Sequence, residues 1–138
     1  MTGWIGVDFD GTLAHYEKWQ GAEHTGAPVV AMVDRVKRWL ADGREVRIFT
    51  ARVWPIAVAQ LDPEVITLPP GMNSRNARVA EAMLAISAIR VWSHAQFGVI
   101  LPVTCVKDYG MIELWDDRAV QVKANTGEPV GGSTCGLV

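Results

Sequence analysis

The stretch Trp4-Ile5-Gly6-Val7-Asp8-Phe9-Asp10-Gly11-Thr12-Leu13 constrains this chain more than any other. An apolar run ends in two carboxylates one residue apart, followed by a glycine. Little apolar–polar alternation and a turn signal at the end read as a short buried strand of a parallel sheet. Side chains alternate along a strand, so Asp8 and Asp10 are expected to leave the backbone on the same side. Two like charges held that close need compensation, either a bound cation or a shared proton. Gly11 lets the backbone turn away without a Cβ clash.

The remaining sequence decides what such a pair is for. A chain of 138 residues with 49% hydrophobic and 20% charged content is expected to fold as one globular domain, 1–138. A net charge of −2 gives no global basic field toward nucleic acid, although a local patch stays open. Cys105 and Cys135 have no metal-ligand spacing and read as reduced thiols, consistent with a cytoplasmic protein. There is no signal-peptide pattern at the start. The longest apolar-rich segment, 77–89, is interrupted by Arg78 and Glu81 and is too short to span a bilayer, so no membrane association is expected.

Residues 14–27 lack periodicity and read as a loop or short hairpin that projects over the end of the first strand, with the flap beginning at 12. His15 and His24 read as exposed loop residues. A helix is expected over 28–42, with Val29, Val33, Val36 and Leu40 inward and Gly43 as its stop. Residues 45–50 form a second strand, giving a parallel strand–helix–strand crossover that brings Asp8 and Thr50 to one sheet edge. Residues 53–73 carry four prolines and read as a long loop with a short helix near 56–61. A helical pattern follows over 74–97, as one helix or two broken near Arg90, capped by Asn73 or Ser74, with Trp92 in the core. Residues 99–106 read as a short strand near an edge, because of Pro102, and Lys107 closes it. Residues 111–115 read as another buried strand ending in Asp116, Asp117 and Arg118. At most a short strand is expected at 119–122, and 125–138 read as a mobile tail.

Four strand ends therefore carry Asp8 with Asp10, Thr50, Lys107, and Asp116 with Asp117. In an open parallel sheet such ends converge on one crevice. Carboxylates, a lysine and a hydroxyl suit a divalent metal carrying a phosphate, and oxygen-only ligands favour Mg²⁺ over zinc.

These segments resemble the four motifs of the haloacid dehalogenase-like hydrolase superfamily: Asp8-Phe9-Asp10-Gly11-Thr12-Leu13, then Phe49-Thr50-Ala51-Arg52, then Lys107, then Asp116-Asp117 after Ile112-Glu113-Leu114-Trp115. The resemblance implies an α/β fold, an open Rossmann-like parallel sheet flanked by helices. The intervals 12–27 and 53–73 are too short for a separate cap domain. It implies a Mg²⁺-dependent phosphatase that hydrolyses phosphomonoesters through an aspartyl-phosphate. Asp8 would be the nucleophile and Asp10 the general acid–base. Mg²⁺ would sit on Asp8, the Asp10 backbone carbonyl and Asp116, with Asp117 as direct or supporting ligand. Thr50 and Lys107 would hold phosphoryl oxygens, with Gly11, Ala51 and Arg52 beside the substrate. Asp10 argues for phosphate over halide displacement, since halide leaves no oxygen to protonate. The chain looks like small capless members of phage and bacterial genomes, and shares a few residues with the phosphatase half of polynucleotide kinase-phosphatases. The implied substrate is a phosphorylated small molecule or nucleic-acid end. Removal of 3′-phosphates, with Arg44, Arg47, Arg52, Arg75 and Arg78 as a basic rim, and a non-catalytic binding module on the same fold are the competing readings.

Overall fold

The computed structural model describes residues 2–58 and 75–131. In chain order the elements are β1 (Trp4–Asp8), α1 (Val30–Ala41), β2 (Glu45–Phe49), a 3-10 turn (Ala51–Val53), α2 (Trp54–Val58), α3 (Arg75–Phe97), β3 (Val103–Thr104) and β4 (Met111–Trp115). The strands form one sheet in the order β3-β2-β1-β4, every neighbouring pair parallel. The α/β class and the parallel sheet read from the sequence are thus observed. No helix among the described residues is long and apolar enough to cross a membrane.

Register explains where the core lies. Ile5 faces Val46 and Val7 faces both Ile48 and Trp115, so these side chains share one face of the sheet. Met32, Val33 and Val36 from α1 and Ile89 and Trp92 from α3 pack against that face as one buried cluster. Trp92 lies in the core, as its sequence context suggests. Its ring meets Phe9 edge-on with centroids 5.0 Å apart, and Phe97 at 6.0 Å. Both helices follow right-hand crossovers in the same direction across the sheet, β1 to β2 and β2 to β3, which puts them on the same side.

The opposite face, which carries Trp4, Gly6, Arg47 and Leu114, receives no helix among the described residues. Only six residues, 105–110, connect β3 on one edge to β4 on the other. That is too few for a crossover helix, so the segment runs as a bare strap over the second face. Asp108 fixes it there: its Oδ1 accepts from Trp4 Nε1 and Gly110 N at 2.8 Å each, and its Oδ2 lies 3.6 Å from Arg47 Nη1. The Arg47 guanidinium also stacks 4.5 Å from the Trp4 ring centroid. Strap and guanidinium together bury Trp4 without a helix.

Several element readings are corrected by this arrangement. β4 is not a buried strand: it is an edge strand beside the uncovered face, with Ile112 and Leu114 38% and 37% exposed. The strand expected over 99–106 shrinks to Val103–Thr104. Buried Ser93 captures the preceding backbone, donating to Val99 O and accepting from Leu101 N at 3.0 Å each, and Pro102 has no N–H for the ladder. α1 begins at Val30 rather than Pro28 and lacks a side-chain cap, because its N-cap residue, Val29, has no side-chain acceptor; Val29 N bonds instead to Leu13 O at 2.7 Å. α3 runs unbroken through Arg90. Residues 119–122 form only a bridge from Val122 to Pro129. The short helix begins at Trp54, ahead of the expected residue 56, and is described as far as Val58. The rest of the 53–73 loop, the α3 cap and the end of the tail with Cys135 lie outside the described residues.

The flap over 14–27 is tied at both ends. Ala14 bridges to Pro28, and His15 N donates to Ala27 O at 2.8 Å. Gly26 sits so close to the His15 backbone that an added Cβ would strike its carbonyl oxygen, and Gly26 O accepts from Trp92 Nε1 at 2.9 Å. Gly26→Ala should therefore lower unfolding free energy by about 1–3 kcal/mol, the usual cost of overpacking. Urea titration checks this, and wild-type stability would show that the contact has slack.

Candidate functional site

β1 ends at Asp8, and the chain reverses at once. Leu13 N donates to Phe9 O at 3.0 Å, as does Ala14 N, and Gly11 N donates to Ala14 O at 2.8 Å. Gly11 takes φ +88, and a Cβ there would lie 2.5 Å from Asp117 Oδ2. The glycine does two things: it allows the left-handed turn and leaves the space that the Asp117 carboxylate occupies.

β4 pairs with β1 in parallel, so its end delivers Asp116 and Asp117 next to Asp8. One carboxylate oxygen from each of Asp8, Asp116 and Asp117 lies within 4.8 Å of the other two. Thr12 braces the group. Its hydroxyl lies 3.3 Å from Asp8 Oδ2 and 3.4 Å from Asp117 Oδ1, and accepts from Asp117 N at 3.1 Å. Asp116 Oδ1 accepts from Arg118 N at 2.8 Å. No lysine or arginine pairs with these three carboxylates among the described residues. Burial therefore pushes the Asp8 carboxyl from 3.8 up to about 7, helped by a hydrogen bond with Asp117 and by the charges of Asp116 and Asp117. The Thr12 hydroxyl pulls the other way. A shared proton is one of the two compensations open to such a cluster. The other is a cation, and three unpaired oxygen donors suit a hard divalent ion.

Asp10 departs from its neighbours. Its side chain does not join the cluster but receives a two-pronged grip from Arg52, Nε to Oδ2 and Nη2 to Oδ1, each 2.7 Å. The Arg52 side chain is only 6% exposed. Its Nη1 donates to the flap carbonyls of Ala22 at 3.2 Å and His24 at 2.7 Å. Its plane lies 5.1 Å from the Trp19 ring centroid and 5.6 Å from that of Phe9. Arg52, expected beside the substrate, thus spends its donors on Asp10 and the flap. Thr50 is buried at the end of β2, accepts from Arg52 N at 3.2 Å, and opens the 3-10 turn.

A cleft of about 740 Å³ opens at this edge of the sheet. Asp8, Asp10, Thr50, Ala51, Arg52, Asp116 and Asp117 all line it. Neither Gly11 nor Lys107 lies on its wall. Lys107 is exposed on the strap that follows the end of β3 at Thr104. Cys105, a free half-buried thiol, and Val106 stand in the place expected of it. His15 and His24 are exposed, as read. The sequence reading missed Thr12 as a brace; Arg78, named there only as part of a basic rim, lines the cleft. Compared with known proteins, the chain matches no family model, no curated protein and no solved structure.

The raised Asp8 carboxyl has a consequence for stability. Below about pH 4 it is protonated in both folded and unfolded chains. Between there and about pH 7 only the folded state holds the proton, so the metal-free protein should lose stability as pH rises through that window. Asp116→Asn keeps the acceptor for Arg118 N and removes one repelling charge. It should raise the melting temperature in EDTA at pH 7.5 and leave it nearly unchanged at pH 4. Thermal melts across pH check both, and a destabilised Asp116→Asn at neutral pH would contradict the repulsion argument.

Proposed function

We propose that this chain is a Mg²⁺-dependent phosphomonoesterase of the haloacid dehalogenase-like superfamily, with Asp8 as its nucleophile. The observation that supports this most is the position of Asp8. It ends an inner strand, faces the cleft, and has two further carboxylates beside it and no pairing cation among the described residues. Asp8, Asp116 and Asp117, with the Asp10 backbone carbonyl, are the groups that would hold Mg²⁺. The bound ion would offset the negative charge of the carboxylates and the phosphoryl oxygens.

In the reading we favour, an ionised Asp8 oxygen attacks phosphorus, an Asp8–phosphorus bond forms, and the ester P–O bond breaks. The departing oxygen takes a proton from Asp10. Asp10 then takes a proton from water as that water's oxygen attacks phosphorus, which releases inorganic phosphate and restores Asp8. Both Asp10 oxygens accept from Arg52 in the structure, so to act as the acid Asp10 would first give up one of these bonds and take a proton from solvent, while the remaining bond keeps it aimed. The Thr50 hydroxyl stands at the cleft wall to donate to a phosphoryl oxygen.

Turnover of p-nitrophenyl phosphate should require Mg²⁺ and be abolished in Asp8→Asn, whose amide has the same shape but is a poor nucleophile. Asp10→Asn should slow phosphate esters of poor leaving groups far more than p-nitrophenyl phosphate, since a good leaving group needs little protonation. Wild-type turnover by a pure Asp8→Asn preparation would end the covalent mechanism. Equal losses for good and poor leaving groups would remove Asp10 as the acid.

A further inference from the structure

An anion entering this cleft meets five carboxylates, those of Asp8, Asp10, Glu81, Asp116 and Asp117, so its capture calls for a cation on the wall. Three arginines line the cleft: Arg52, Arg78 and Arg118. The Arg52 donors are already committed to Asp10, Ala22 and His24. Arg118 is exposed, where water screens its charge. Arg78, on α3, differs from both. Its Nη1 donates to Glu81 Oε2 at 3.1 Å. Its Nε is fully buried and has no acceptor, and none is found for Nη2 among the described residues. A buried donor without a partner is rare in a folded protein and calls for a reason.

Nε and Nη2 together form the edge of a guanidinium that can meet two oxygens of a phosphate at once; protein atoms cover Nε in the structure, so the side chain must shift toward the anion to present that edge. The single ion pair to Glu81 holds the opposite corner, and that carboxylate is half-exposed at 49%, a weak competitor for a doubly charged anion. We propose that Arg78 grips the phosphoryl group of the substrate, taking from another part of the cleft wall the role that the motif pattern gives Lys107. The assignment rests on the phosphomonoesterase reading of the cleft, and it makes the α3 wall the phosphate-binding side.

The test pairs p-nitrophenyl phosphate kinetics with calorimetric titration of inorganic phosphate, both in Mg²⁺. Arg78→Gln should raise KM roughly tenfold or more and weaken phosphate binding by a similar factor, as expected for loss of a charge-assisted contact. Arg78→Lys, which keeps the charge but not the flat fork, should recover part of the loss. Glu81→Gln, which removes the competing carboxylate, should tighten phosphate binding, a change that a merely structural Arg78–Glu81 pair would not produce. Unaltered KM and phosphate affinity in Arg78→Gln would overturn the proposal, as would weaker binding in Glu81→Gln. If the wild type turns over no ester, the phosphomonoesterase reading fails. The titration then decides alone: phosphate bound by wild type and lost in Arg78→Gln supports Arg78, and no binding, or equal binding, overturns it.

Discussion

Three carboxylates whose oxygens crowd within 4.8 Å of one another set the terms for this edge of the sheet. Water would separate them if it could. The fold prevents this by placing Asp8 at the end of an inner strand and pairing β4 beside it, so backbone ladders hold the charges together. Gly11 and Thr12 serve the same arrangement. One vacates space for Asp117 and the other offers it a hydroxyl. A cluster assembled by so many separate devices retains a proton on Asp8 near neutral pH.

Arg52 solves a different electrostatic problem. Left alone, Asp10 would add a fourth negative charge to the group. The bidentate grip of a nearly buried guanidinium draws its carboxylate aside and neutralises it. The same side chain reaches the flap, so the turn after β1, the end of β2 and the loop over the cleft meet at one residue.

Much of the site could be read in the sequence because its parts are local. Apolar runs ending in Asp8 and in Asp116-Asp117 announce strand ends, and the parallel sheet does the rest. What escaped the reading is non-local. The Arg52–Asp10 pair joins positions 42 apart. Ser93, a small polar residue on a mostly apolar helix, gives no local sign that it captures residues 99–101 and shortens β3. Lys107 looked like the closing residue of a strand only because that strand was drawn too long. The exposure of β4 did have a signal: the connection over 105–110 is too short to contain the helix that would cover the second face. Apolar side chains at 112 and 114 suggested burial, but without that helix there was nothing to bury them against.

The flap is fastened to Arg52 through two backbone carbonyls, and this gives the loop a role that its side chains do not reveal. Lifting it would leave the Arg52–Asp10 bonds intact but let water reach them. Attraction between unit charges weakens severalfold as the surroundings change from protein interior to solvent. The loop thus works as insulation around the ion pair. As it lies the carboxylate is held stiffly; were it to lift, the same carboxylate would be more loosely held, with no residue having to change its charge.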